Sequence, residues 1–95
     1  VDQRGRGKHG GHVINLVKRV KELGGEVRKM AYINRPGAPD RYVMLPTRTR
    51  GFWVELKATG KTAEPHQIRE HNRMRRLGEI VEVVDSIEGV EALLK

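Results

Sequence analysis

Two acidic residues and one lysine in the middle of the chain have the types and spacing of a hydrolytic metal site. Asp40 begins one apolar segment, and Glu55 and Lys57 lie in the next. Hard divalent cations such as magnesium take oxygen ligands and usually need only one or two carboxylates, which leaves room for water and a substrate phosphate. A lysine beside such an ion can orient a nucleophile or offset negative charge on the phosphate. These residues therefore suit phosphodiester hydrolysis.

Each of these residues also has an ordinary structural interpretation. An acid at a turn, such as Asp40, is more often a surface or capping residue, and a Glu-x-Lys pair on a strand is more often a solvated face. The combination is the stronger signal, because Glu55 and Lys57 lie beside Trp53 in an otherwise apolar strand. A small core rarely accepts charge without a reason.

The strand that positions Glu55 and Lys57 has the clearest pattern in the chain. From residue 52 to 57 the side chains alternate, with Trp53, Glu55 and Lys57 on the face opposite to the apolar set. Residues 40–45 predict the strand before it, and the basic stretch 47–51 predicts the turn between the two. If these strands pair, Asp40 comes close to Glu55.

The other elements follow from periodicity and from helix-end signals. Apolar side chains at intervals of three and four predict an amphipathic first helix that ends at Gly24. Pro65 suits the first turn of a surface helix that ends at Gly78. Asp85 and Glu88 predict a capping box for the last helix. The predicted order is helix 13–23, strands 26–33, 40–45 and 52–57, helix 65–77, strand 80–84 and a last helix after Asp85.

Length and charge limit the class of protein. A chain of 95 residues predicts one domain, with 1–12 as a flexible basic arm and 13–95 as the folded part. Nineteen Lys and Arg against 12 Asp and Glu give a net charge of +7, which favours a nucleic acid partner. The absence of cysteine excludes disulfides and thiol chemistry. No apolar run approaches the roughly 20 residues of a membrane span, and no secretory signal is visible, so we expect a cytoplasmic protein without a membrane partner.

The motifs taken together resemble a known nuclease family. Pro39 and Asp40, then Glu55-Leu56-Lys57, then Gln67 at the start of the following helix resemble the PD-(D/E)xK nuclease superfamily. They look most like its virus-type replication-repair nuclease (VRR-Nuc) group. The similarity runs from about Gly24 to the end of the chain and includes the segments 37–40 (GAPD), 54–57 (VELK) and 78–84 with Ser86.

The resemblance implies both a fold and an activity. The fold is a small restriction-endonuclease-like α/β core of the α+β type, with a mixed central sheet flanked by helices. The activity is that of a Mg²⁺- or Mn²⁺-dependent deoxyribonuclease. Asp40, Glu55 and the backbone carbonyl of Leu56 would hold the metal, Lys57 would be the catalytic lysine, and Gln67 would lie near the metal or the DNA. Such stand-alone members are similar to Holliday junction resolvases, act on branched or flap DNA, form homodimers with exchanged elements, and usually come from phages.

The chain departs from this group in its first helix, where a glutamate commonly reaches the metal site. No acid occurs between Lys8 and Lys21, and His9, His12 or Asn15 occupies the neighbourhood. A histidine could substitute, or the site could be weaker. The second hypothesis is therefore a catalytically weakened DNA-binding module that keeps the nuclease fold. A third, RNA processing or scaffold binding, rests on charge alone.

Basic residues flank the predicted site, and we expect a share of them to bind the phosphates of DNA. Lys61, His66 and Arg69 are the first choices because they surround Gln67 in the sequence. Trp53 and Tyr42 could stack on an unpaired base, although a core or interface role is the commoner one. The predicted nucleic-acid-binding residues are Arg41, Arg48, Arg50, Lys61, His66, Arg69 and Arg73, with Arg35 a further member of the basic set.

Overall fold

The computed structural model describes residues 11–31 and 36–95. Its order of elements is the predicted one, and the mixed α and β class is confirmed. Residues 1–10 of the predicted arm, and Arg35, lie outside the described residues, whereas residues 11 and 12 of that arm belong to the first helix. The elements are α1 (Gly11–Glu22), β1 (Glu26–Lys29), β2 (Arg41–Met44), β3 (Phe52–Leu56), α2 (Pro65–Arg76), β4 (Val81–Val84) and α3 (Ile87–Leu93).

The four strands form one mixed sheet in the order β1-β2-β3-β4. The two connections before β3 are short enough for antiparallel neighbours, so β1 pairs with β2 and β2 with β3 in that direction. β3 and β4 are parallel, and α2 supplies the crossover between them. In β3 the predicted alternation is confirmed, because Phe52, Val54 and Leu56 are buried while Trp53 and Glu55 are half-buried.

The hydrophobic core lies between one face of this sheet and helices α1 and α3. The apolar residues of these helices recur at the intervals that the sequence predicts. An ion pair of 2.6 Å between Arg19 of α1 and Glu91 of α3 joins the two helices. Burial of each Val or Leu side chain here contributes about 1.5–3 kcal/mol. The core residues are Leu16, Val20, Val43, Leu45, Phe52, Val54, Leu56, Val84, Val90 and Leu94.

Helix α2 lies on the other face, over β3 and β4. It turns His71 and Met74 inward as its buried residues. Arg75 reaches the outer edge of the sheet and donates from Nη2 to the carbonyl of Val81 on β4 at 2.7 Å. At the opposite edge, β1 carries an ion pair of 2.7 Å between Arg28 and Glu26. No helix in the described part of the chain is long and apolar enough to cross a bilayer.

The predicted cap of the last helix is wrong. Ser86, in an extended conformation, is the N-cap residue of α3, and its Oγ accepts a hydrogen bond of 2.9 Å from the N–H of Gly89. Asp85 turns away and accepts instead from the N–H of Gly60 at 3.1 Å. The helix can use only one cap, and the serine lies directly before its first residue, Ile87.

Candidate functional site

The pairing of β2 with β3 brings the two predicted acidic ligands together. Arg41 pairs with Val54, so the same antiparallel register continued by one residue places Asp40 opposite Glu55. Directly opposite residues of an antiparallel pair project from the same face, with Cβ atoms about 4.5–5.5 Å apart. The charge of Asp40 acts on Glu55, since it is one of the causes that raise the pKa of Glu55. The two carboxyl groups therefore converge on the face that α2 covers.

Lys57 and Gln67 complete the group around Glu55. Lys57 donates from Nζ to Oε1 of Gln67 at 2.6 Å. Gln67 donates from Nε2 to Oε2 of Glu55 at 3.3 Å, and the Lys57 ammonium stays 3.7 Å from the same carboxylate oxygen. The charged side chains are only 14% and 16% exposed for Glu55 and Lys57 respectively. All four predicted catalytic residues thus lie at one place.

The start of α2 fixes the position of Gln67. Pro65 is the first residue of the helix, and the N–H of Glu64 donates to Oε1 of Gln67 at 2.8 Å. This bond satisfies one of the N–H groups that a helix start leaves without a partner. The same amide oxygen also receives the Lys57 ammonium. The helix cap and the lysine position therefore depend on one side chain.

The loop that carries Asp40 packs closely on the same helix start. Gly37 has a φ of +89°, and a Cβ at this position would lie 2.9 Å from the carbonyl oxygen of His66. It would also lie 3.2 Å from Cα of Gln67. Only glycine combines this backbone conformation with so close an approach. The loop before Asp40 thus packs directly on the backbone of the residues that start α2.

Pro39 leaves the carbonyl of Leu56 without its partner in the sheet. The β3 residues on the same face as Val54 direct their backbone N–H and C=O groups at β2. The observed pairing ends at Arg41 opposite Val54. At the next hydrogen-bonding position Leu56 would face Pro39, which has no N–H to donate. Pro39 is fully buried at this position. An oxygen ligand is therefore available beside the two carboxylates.

Burial sets the electrostatics of the site. Removal of water raises the pKa of Glu55, and the neighbouring Asp40 charge raises it further, while Lys57 and Gln67 lower it. The raised pKa means that the protein's own positive and polar groups do not fully offset the negative charge of the ionised Glu55 carboxylate. A bound cation would supply the missing positive charge.

The donor set fits a hard divalent cation held by two carboxylates and one carbonyl. In residues 11–31 and 36–95, no group of three or more His, Cys, Asp or Glu side chains could hold a metal. His12 does not join Asp40 and Glu55, because its Nδ1 lies 3.0 Å from the Lys57 carbonyl oxygen. Nδ2 of Asn15 is buried without a hydrogen-bond partner in the described segments. His9 lies outside the described residues.

Three of the predicted DNA-binding arginines are engaged within the protein. Arg41 is only 13% exposed, and its Nη1 lies 3.0 Å from Oδ2 of Asp40. Arg48 lies over the Phe52 ring and donates to the carbonyl of Leu93 at 2.7 Å, at the end of α3. Arg50 donates to the carbonyl of Gly78 after α2. Arg48 and Arg50 thus link separate parts of the fold, whereas Arg41 pairs with the residue before it.

The remaining predicted basic residues lie exposed on α2 or in the loop before it. Lys61 lines a cavity of about 530 Å³ that Glu55, Leu56 and Lys57 also line. The other exposed residues of this set are His66, Arg69 and Arg73. Their role in nucleic acid binding stays a prediction.

The two aromatic residues on the site's face contact each other. The rings of Tyr42 and Trp53 have centroids 4.7 Å apart and planes inclined by 58°. Nε1 of Trp53 donates to the Glu79 carboxylate at 2.9 Å. Both residues are half-buried, so packing within the sheet explains their positions.

The roles of Gly37 and Pro39 were not predicted from the sequence, although both residues belong to the GAPD segment 37–40. A signal for Pro39 was present, because proline before a strand removes one ladder donor at a known position. A signal for Gly37 was not, since the close approach to α2 depends on residues about thirty positions away along the chain.

Comparison with known proteins identifies the family. No family model matches the chain. A candidate nuclease, p44, of Acyrthosiphon pisum secondary endosymbiont phage 1 is 43% identical over 72 residues, which cover 76% of this chain and 76% of that protein. A solved VRR_NUC domain superposes with a TM-score of 0.80 at 40% identity, over 90% of this chain and 92% of that one. Sequence, fold and the geometry of Asp40, Glu55, Lys57 and Gln67 agree, and the chain belongs to the VRR-Nuc family of nucleases.

Proposed function

We propose that this nuclease is a metal-dependent DNA endonuclease that hydrolyses phosphodiester bonds. Asp40, Glu55 and the Leu56 carbonyl are the proposed ligands for Mg²⁺ or Mn²⁺, and Lys57 is the proposed catalytic lysine. The observation that carries the proposal is the register that sets Asp40 opposite Glu55, with Lys57 held alongside by Gln67.

The residues of the site divide the work of hydrolysis. A bound divalent ion would supply positive charge to the scissile phosphate. The Lys57 ammonium is tied to Gln67 rather than paired tightly with Glu55, as the 2.6 Å and 3.7 Å distances show. It therefore keeps donors available to orient the attacking water or to offset charge that develops on the phosphate. Gln67 holds this arrangement in place before substrate arrives.

A cleavage assay with Mg²⁺ or Mn²⁺ on linear and branched DNA tests the proposal. We expect Glu55→Gln and Lys57→Ala each to lower the rate by about 100-fold or more, as loss of an electrostatic group in an active site usually does. Lys18→Ala is the matched control, because Lys18 is exposed on α1. This variant should cleave DNA like the parent protein. Equal rates for all three variants, or cleavage that persists in a chelator, would overturn the assignment.

A non-catalytic DNA-binding module is the second candidate function. It is favoured by the absence, within the described segments, of a third acidic or histidine ligand near Asp40 and Glu55. This alternative predicts that the protein retards DNA in a gel while no products form with either metal. The same assay therefore separates the two functions.

We also propose that the substrate is branched DNA and that the protein acts as a homodimer. A four-way junction consists of four strands that a twofold axis relates in pairs, and two copies of the protein related by the same axis would match it. Apolar side chains available for such an interface include Ile14, 58% exposed, and Leu77, 70% exposed. Preference for a junction over duplex DNA in competition supports the first part. A monomer in light scattering at micromolar concentration overturns the second.

A further inference from the structure

Helix α2 carries four basic side chains in one line. His66, Arg69, Arg73 and Arg76 follow one another at intervals of three, four and three residues, and all four are exposed. At 3.6 residues per turn these intervals place the side chains on one side of the helix. We call these four residues the α2 stripe.

The stripe is directed away from the protein interior. The inward side of the same helix is formed by Gln67, His71 and Met74. Arg75 does not belong to the stripe, because its guanidinium is bound to the Val81 carbonyl on the sheet edge.

The stripe residues have no competing partner in the described part of the chain. None of the four makes an ion pair or a side-chain hydrogen bond with the residues described there. This distinguishes them from Arg41, Arg48 and Arg50, whose guanidinium groups are already engaged. Free guanidinium groups in a row bind phosphates without competition from the protein's own acids.

The stripe begins at the end of α2 that carries Gln67 and runs along the outer side of the helix. His66 is the neighbour of Gln67, which contacts both Lys57 and Glu55. From His66 to Arg76 the helix rises by about 15 Å, at 1.5 Å per residue. Phosphates of one duplex strand are about 3.4 Å apart along the axis, so the line spans roughly four of them.

We infer that the α2 stripe binds the sugar-phosphate backbone of the DNA and directs the strand from the active site along α2 towards Gly78. The inference rests on the proposed function for the place where the strand is cut. It adds Arg76 to the contact surface and assigns Arg41, Arg48 and Arg50 to the protein scaffold.

Salt-dependent binding measured on a protein that cannot cleave gives the direct test. In a Glu55→Gln background, the triple variant Arg69→Gln, Arg73→Gln, Arg76→Gln is compared with Lys18→Gln, Lys21→Gln, Lys95→Gln. Both sets remove three charges, and the control lysines are exposed on α1 or after α3, over the other face of the sheet. The probes are a short duplex and a four-way junction, titrated between about 50 and 200 mM salt.

We expect the stripe variant to lose at least about tenfold in affinity and to lower the salt slope by about one for each arginine removed. The control variant should keep its affinity and its salt slope within about a third of the parent values. An Arg→Lys version of the stripe variant keeps the charges and should bind almost like the parent. Equal losses in the stripe and control variants, or no loss in the stripe variant, overturn the inference.

A photocrosslink tests the direction of the strand. The sequence contains no cysteine, so Arg76→Cys creates a unique attachment point for a crosslinker. We expect crosslinks about four nucleotides to one side of the cleaved bond, and crosslinks on both sides or none would contradict the path. If the protein binds through the stripe but never cleaves with metal, the proposed function fails while this inference stands. If the protein cleaves DNA and the stripe variants bind normally, the inference fails while the proposed function stands.

Discussion

Gln67 contacts Lys57 and Glu55 of the site, so its amide decides where the Lys57 ammonium lies. The oxygen accepts from Lys57 at 2.6 Å and from the N–H of Glu64 at 2.8 Å, and the nitrogen donates to Glu55 at 3.3 Å. Without this amide the ammonium would be free to close on Glu55, which now lies 3.7 Å away. A tighter ion pair would neutralise the carboxylate that the proposed metal needs.

We therefore predict that Gln67→Ala lowers kcat by about tenfold, within the usual range for a group that positions a catalytic one. Loss of the helix cap should cost about 1 kcal/mol of stability. Gln67→Glu is the informative comparison, because it keeps the acceptor but places a second negative charge beside Glu55. It should raise the pKa of Glu55 further and move the acid limb of the pH–rate profile to higher pH. Unchanged kcat in Gln67→Ala would show that Lys57 needs no such support.

At the residue scale too, the buried side chain of His71 makes the folding stability of the protein depend on pH. Its ring is fully buried, and among the described residues the backbone of Gly37 offers it at most a weak hydrogen bond. Burial, with the nearby positive charge of Arg75, lowers the pKa of His71. The unfolded chain takes up the proton near pH 6.5 while the folded one does not, so this stability is present above that pH and is lost as the pH falls.

We predict that the parent protein loses up to about 1.4 kcal/mol per pH unit below 6.5 through this residue. His71→Leu lacks the titrating group, so its free energy of unfolding should change less between pH 7 and 5.5. Urea unfolding at the two pH values measures the difference. Parallel pH curves for the two proteins would contradict the assignment of the effect to His71.

At the scale of elements, two glycines with similar backbone conformations allow the effect of backbone strain to be measured separately from the effect of a close steric contact. Gly37 has a φ of +89° and packs on the start of α2, whereas Gly60 has a φ of +84° and nothing within 4 Å of the place for a Cβ. We predict that Gly60→Ala costs about 1 kcal/mol of stability and leaves cleavage intact. Gly37→Ala should cost more and should also slow cleavage, because Asp40 or Gln67 must move. Thermal unfolding and cleavage rates test this, and equal behaviour of the two variants would refute it.

The end of the β2–β3 pairing yields a second prediction at this scale. Pro39→Ala restores an N–H opposite the Leu56 carbonyl, which would then be engaged in the sheet. We expect weaker Mn²⁺ binding, measured by calorimetry, in a protein that remains folded. Unchanged affinity would mean that the Leu56 oxygen is not a ligand.

The elements themselves were largely predictable from sequence, for physical reasons. The alternation from Phe52 to Leu56 and the spacing of apolar residues in α1 are local signals, and both were confirmed. The face shared by Glu55 and Lys57 followed from the same alternation. Helix ends were less predictable, because Ser86 and Asp85 are both good caps and only the path of the neighbouring loop decides between them.

The contacts across the site were not predictable in the same way. The convergence of Asp40 and Glu55 depends on the register of two strands, which the sequence suggests but does not determine. The arginines look alike in sequence, yet Arg48 reaches a carbonyl 45 positions away, while Arg69 and Arg73 bind no side chain or carbonyl of residues 11–31 and 36–95. Such long-range choices follow from packing of the whole chain. The family resemblance was sufficient for the family and the fold, but not for these partners.

At the scale of the whole molecule, positive charge is divided by role. Some cations join elements, as Arg19 does between α1 and α3 and Arg75 does between α2 and β4. Others, on the outer side of α2, have no partner in the part of the chain that the structure describes. The net charge of +7 is therefore a poor measure of the DNA-binding surface, and the free groups near the site matter more.

The two outer strands of the sheet have a consequence for assembly. β1 presents the charged residues Glu26, Arg28 and Lys29, and the outward carbonyl of Val81 on β4 is already occupied by Arg75. Charged side chains and occupied carbonyls oppose main-chain hydrogen bonding to another strand. A second copy, or an extended peptide, would gain little by lengthening this sheet. Self-association should therefore use side chains of helices and loops, and aggregation into continuous β-structure should be slow.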